Sequence, residues 1–126
     1  MKKIISTPNA PQAIGPYSQA VRAGDFLFIS GQLGLVPQTG ALEEGIEAQT
    51  KRAMENIGAI LKEAGGGFEN VVKTTILLAD ISDFPKVNEI YSQYFSNDFP
   101  ARATFAVAAL PKEALIEIEA IAYFGK

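Results

Sequence analysis

The chain has 126 residues, of which 48% are hydrophobic and 20% charged, with a formal net charge of −3 and neither histidine nor cysteine. That is enough chain for one domain with a real core. The missing residue types exclude disulfides, thiolate catalysis and cysteine–metal sites, and remove histidine as base or ligand. The acidic balance, with no basic run beyond Lys2-Lys3 and Lys51-Arg52, argues against nucleic acid as a partner.

The start, MKKIISTPNAPQ, offers only Ile4 and Ile5 before polar residues return, short of the roughly 7–15 apolar residues of a secretory signal. The longest apolar runs, such as Phe105 to Leu110, fall well below the ~20 residues of a membrane helix. A cytoplasmic protein is the expectation, with residues 1–126 as a single domain. Thr7 to Pro16 holds three prolines and reads as an extended arm. A hairpin follows: Tyr17 to Ala23 as one strand, Gly24-Asp25 as the turn, and Phe26 to Ser30 as the second strand. Leu33 to Glu44 reads as a loop with room for a short strand.

From Gly45 to Ala64 apolar residues recur at helical spacing, through Ile46, Ala53, Ile57, Ile60 and Leu61. Glu47 and Lys62 complement the helix dipole, and Gly65-Gly66-Gly67 stops the helix. Val71 to Ala79 is β-branched and reads as a strand. Ser82 or Asp83 caps a second helix with Pro85 in its first turn. Its apolar face runs through Phe84, Val87, Ile90 and Tyr91, with Asn88 at the edge, one turn from Phe84 and Tyr91. Arg102 to Ala109 and Leu115 to Phe124 are the last two strands. The order ββ(β)αβαββ predicts an α+β fold, with two helices on one face of a mixed sheet.

Two charges stand out in these last strands, Arg102 and Glu117, because charged side chains seldom sit in apolar strands unless paired or used. In the last strand Ile116, Ile118, Ala120 and Ala122 form an apolar face suited to lie under helices, which leaves Glu117 and Glu119 on the other. With Phe105 and Val107 read as core, Arg102 is expected to share the Glu117 face. That second face is too apolar to stay wet, so an oligomer interface is expected there. From pattern alone Arg102 is balanced between a salt bridge to Glu117 or Glu119 and a clamp for a ligand carboxylate. Tyr17 and Asn88 are more often structural than functional. Ser30-Gly31-Gln32 is a glycine turn at a strand end. Ser18 and Ser30 lack a histidine partner, so a serine triad is excluded. Asp80 and Asp83 are too few ligands for a metal site.

Five segments, GPYSQA (Gly15 to Ala20), FISGQL (Phe28 to Leu33), VNEIYSQYF (Val87 to Phe95), FPAR (Phe99 to Arg102) and LPKEALIEIEAIA (Leu110 to Ala122), together resemble the RidA family of enamine/imine deaminases, in order and over nearly the whole chain. The resemblance implies a chorismate-mutase-like fold and a homotrimer with clefts between subunits. It also implies cofactor-free hydrolysis of 2-imino acids, such as 2-iminobutanoate and 2-iminopropanoate, to 2-keto acids and ammonia. By motif, Arg102 would hold the substrate carboxylate and Glu117 the attacking water. Tyr17, Ser30, Gly31, Asn88 and Thr104 would line the substrate site, with no metal or cofactor. The chain departs from many members after the arginine, where Ala103 and Thr104 stand in place of serine and cysteine. Two alternatives remain: a non-catalytic binder of small acids, and a ribonuclease or translation inhibitor.

Overall fold

The computed structural model describes Met1–Gly125. Six strands form one sheet in the order β1-β2-β3-β6-β4-β5. They are β1 (Lys2–Ile5), β2 (Ala20–Ala23), β3 (Phe26–Leu33), β4 (Val71–Leu78), β5 (Ala101–Ala106) and β6 (Ile116–Tyr123). Helix α1 (Ile46–Glu63) lies between β3 and β4 in the chain, and α2 (Phe84–Tyr91) connects β4 to β5. That helical crossover makes β4 and β5 parallel, while every other pair is antiparallel.

Both helices cover the same face. Ile57, Ile60 and Leu61 of α1 and Val87 of α2 pack into one cluster with Leu27, Ile76, Ile116 and Ile118. Each of these side chains is essentially inaccessible, a burial worth about 1.5–3 kcal/mol apiece before conformational entropy is counted. The even positions of β6 face the helices, as their apolar run predicts. Buried polar side chains of α1 fasten the loop from Leu33 to Glu44. Asn56 Nδ2 donates to the carbonyls of Leu33 and Leu35, at 3.2 and 3.0 Å. Gly34 passes so close to the helix that a Cβ there would lie 2.6 Å from the Gln49 Cα.

Besides running β3 on through Ser30-Gly31-Gln32 to Leu33, where a strand-ending glycine turn is expected, the structure departs from the sequence reading in three places. A four-residue strand, β1, pairs with β2 at the sheet edge; KKII is too short to show a period. Residues Tyr17 to Gln19 are not strand, because Gln19 turns into the fold to hold the arm. Its Oε1 accepts from the Thr7 amide at 2.7 Å, and its Nε2 donates to the carbonyls of Thr7, Ala10 and Pro11.

The third departure concerns the faces of β5, which are the reverse of the expectation. Arg102 pairs with Thr74, which is buried beneath the helices, and directly paired residues share a face. Arg102 therefore points to the helix side, whereas Phe105, paired with Leu77, lies on the open side and is 47% exposed. Phe105 suggests core by its size, but β5 is an edge strand and no layer among the described residues covers its outer face. Phe26, Phe28 and Tyr123 share that uncovered side.

Candidate active site

Glu117 sits where β6 meets an irregularity in β3. Between Ile29 and Gln32 the β3–β6 register slips by one residue, so Ser30 and Gly31 form a β-bulge. The bulge resets the alternation: Ile29 points inward before it and Gln32 after it. It also brings the Gly31 backbone against Glu117, where any Cβ would overlap Oε2 and lie 2.7 Å from Cδ. Glycine is the residue that leaves the carboxylate room. Ser30 Oγ donates to the Ser18 carbonyl at 2.6 Å, tying the bulge to the segment that carries Tyr17.

Tyr17, Ser30, Gly31, Lys112, Glu117 and Glu119 line a cleft of about 660 Å³, with apolar walls from residues such as Ile14 and Leu35. Burial, and then the charge of Glu119 two residues along the same face, push the Glu117 carboxyl above its ordinary pKa. A carboxyl so displaced exchanges protons closer to neutrality. Lys112 and Glu113, at the rim, have φ of 59° and 57°. That backbone is strained for residues with a Cβ.

Arg102 lies elsewhere. Its Nη1 donates to Asn88 Oδ1 at 2.7 Å, and its guanidinium carbon is 5.1 Å from the ring centres of both Phe84 and Tyr91. Asn88, Tyr91, Phe99, Pro100 and Arg102 line a second cleft, of about 390 Å³. Among the described residues no carboxylate lies within ion-pair distance of Arg102; the ion pairs found join Arg52 to Glu43 and Glu55. Among the described residues Arg102 therefore forms no salt bridge to Glu117 or Glu119 within its own chain. Its guanidinium is held in place with most of its five donors uncommitted.

The structure thus sorts the expected residues into two groups within the chain. Across the sheet Arg102 is level with Thr74 and Ala120, and Glu117 with Leu77 and Phe105. Two strand spacings and three residues put their Cα atoms roughly 14 Å apart, and their side chains leave opposite faces. Thr104 belongs to neither cleft; its hydroxyl is buried with no hydrogen-bond partner among the described residues.

The family model described as Endoribonuclease L-PSP matches residues 7–124. The human 2-iminobutanoate/2-iminopropanoate deaminase is 57% identical, over 99% of this chain and 92% of its own length. The chain belongs to the RidA family. A RidA crystal structure from the Antarctic bacterium Psychrobacter sp. PAMC 21119 superposes with a TM-score of 0.94 at 49% identity, covering 96% of this chain and 98% of the other. The structure of E. coli TdcF with bound serine gives 0.94 at 41% identity, covering 98% and 99%. The α+β architecture expected from the sequence is that of these RidA-family relatives.

Several residues that shape the two clefts are not singled out by the sequence. Gln19 and Gln32 look like ordinary polar residues until the bulge and arm are seen. Phe84 and Tyr91 were legible only as the apolar face of α2. Their spacing around Asn88, at i, i+4 and i+7, was the available signal. No helix among the described residues is long and apolar enough to cross a membrane.

Proposed function

We propose that this protein hydrolyses 2-imino acids, such as 2-iminobutanoate and 2-iminopropanoate, to 2-keto acids and ammonia. The observation that carries the reading is Arg102, fixed by Asn88 and two rings yet paired with no carboxylate among the described residues. A guanidinium so placed suits the carboxylate of a small acid through two parallel charge-assisted hydrogen bonds. The name of the human relative, and the serine bound in the E. coli one, support a small amino-acid-derived substrate.

In this reading the protonated imine carbon is already electrophilic, and water needs orientation more than activation. Glu117 accepts a proton as the water oxygen bonds to that carbon. It returns the proton to nitrogen, and as the carbon–nitrogen bond breaks the former water oxygen becomes the keto oxygen and gives up its remaining proton, which departs with ammonia as ammonium. Such proton transfer is typically worth ~10²–10⁴-fold. Tyr17, Ser30 and Gly31 shape the cleft around the reacting carbon, while Asn88 orients Arg102. Thr104 contributes through its backbone, since its hydroxyl is buried.

One chain holds the two halves on opposite faces of its sheet, so the working site takes Arg102 and Asn88 from one copy and Glu117 from the next. A closed ring of three copies with clefts between them satisfies this, and the apolar open face supplies the contact area. A cytoplasmic setting belongs to the same proposal.

The test couples an amino-acid oxidase or dehydratase to keto-acid release, with light scattering on the same sample to count subunits. Acceleration by the wild type and by Lys51→Ala but not by Arg102→Ala is expected. Full activity in Arg102→Ala would sink the proposed site. RNA cleavage is a second reading, favoured by the description of the family model. A ribonuclease assay of wild type against Glu117→Gln decides it.

A further inference from the structure

Arg102 belongs to a closed circuit of contacts more elaborate than a carboxylate grip requires. In the β4–β5 ladder it lies directly beside Thr74. The Thr74 hydroxyl is 2.7 Å from the Tyr91 hydroxyl, and both residues are buried. The Tyr91 ring returns to Arg102, with the guanidinium carbon 5.1 Å from its centre. Phe84, Asn88 and Tyr91 succeed one another along one side of α2, so ring, amide and ring form a row. The guanidinium lies over that row and donates to the amide in its middle.

Each contact removes a different freedom. The Asn88 bond fixes the direction of one guanidinium edge, and the two rings limit how the plane tips. A ring free to slide would pass its motion to the guanidinium. The Thr74 contact prevents that by anchoring the far tip of Tyr91 to the strand next to Arg102. Burial pushes the Tyr91 phenol up, so it remains a neutral hydrogen-bonding group across the physiological range.

We propose that Tyr91 is a positioning residue for Arg102, and that its hydroxyl contact with Thr74 sets how firmly the substrate carboxylate is held. The inference rests on the carboxylate-binding reading of Arg102 given above. It predicts an effect on substrate affinity rather than on the chemical step, because Tyr91 and Glu117 occupy different halves of the site.

Wild type, Tyr91→Phe, Thr74→Val and the double variant are compared, with melting curves to establish folding. Three quantities are read: KM and kcat in the coupled imine assay, binding of 2-oxobutanoate, and the Arg102 Nε–H NMR line, assigned by its loss in Arg102→Lys. Each single variant is expected to raise KM and weaken 2-oxobutanoate binding about three- to tenfold. In each, kcat stays within about twofold and the Nε–H line moves. The double variant should resemble the singles rather than multiply them, since both remove one contact.

Folded Tyr91→Phe and Thr74→Val proteins with unchanged KM, unchanged binding and an unmoved line would overturn the inference. So would an equal KM rise in Ile90→Val, a change on α2 outside this circuit, which would mark general loosening. If the wild type hydrolyses no imine, the deaminase reading fails by itself. Keto-acid binding and the Nε–H line then still decide the role of Tyr91.

Discussion

Gly31 and Glu117 meet so closely across the β3–β6 seam that one methyl group on residue 31 would overlap the carboxylate. Gly31→Ala therefore pushes the Glu117 side chain off its position while leaving the core untouched. In the coupled assay kcat should fall about 10²-fold, the cost of misplacing a reacting group by about an ångström. The melting temperature should change little, because the overlap is with the flexible end of a side chain.

The raised pKa of Glu117 fixes the sign of two pH effects. Its unprotonated form takes the proton from water, so kcat/KM should drop on the acid side as pH falls through the raised value. Glu119→Gln removes the second cause of the shift and should move that acid limb to lower pH. Stability runs the other way. A carboxyl that binds its proton more tightly folded than unfolded stabilises the fold at low pH, and that contribution is lost as pH rises through the folded value. Glu117→Gln should thus be more stable than wild type to urea at neutral pH, with the difference shrinking as pH drops into the ordinary carboxylate range.

Thr104 carries a buried hydroxyl without a partner among the described residues. Thr104→Val keeps the shape and removes the stranded polar atom. A gain of about 1 kcal/mol is expected from denaturant unfolding, with imine turnover unchanged because the Thr104 side chain reaches neither cleft.

Phe105 lies beside Leu77 on the open face of the sheet and is 47% exposed. If neighbouring copies cover that face, Phe105→Asp places a charge in the contact. Light scattering should then show smaller particles, and activity should fall although residue 105 lines neither described cleft.

Much of this architecture is legible in local pattern. The α1 periodicity, the Gly24-Asp25 turn and the apolar even positions of β6 each reflect forces acting within a few residues. The order of the two helices and the last strands follows from them. What is not legible depends on pairing between distant segments. Phe105 reads as core because it is large and apolar, yet the parallel register of β5 on β4 puts Arg102, not Phe105, beneath α2. The bulge at Ser30-Gly31 is invisible for the same reason, since it exists only relative to β6. Arg102 and Glu117 stand out as candidate residues because charge is rare in such strands, whereas their separation depends on sheet order.

That separation has a genetic corollary. If each working site draws Arg102 from one copy and Glu117 from its neighbour, two dead proteins can repair each other. Arg102→Ala chains still carry a sound Glu117, and Glu117→Ala chains a sound Arg102. Unfolded together at equal concentration and refolded, they should regain about a quarter of wild-type sites by random assortment around the ring. Either variant refolded alone should regain none.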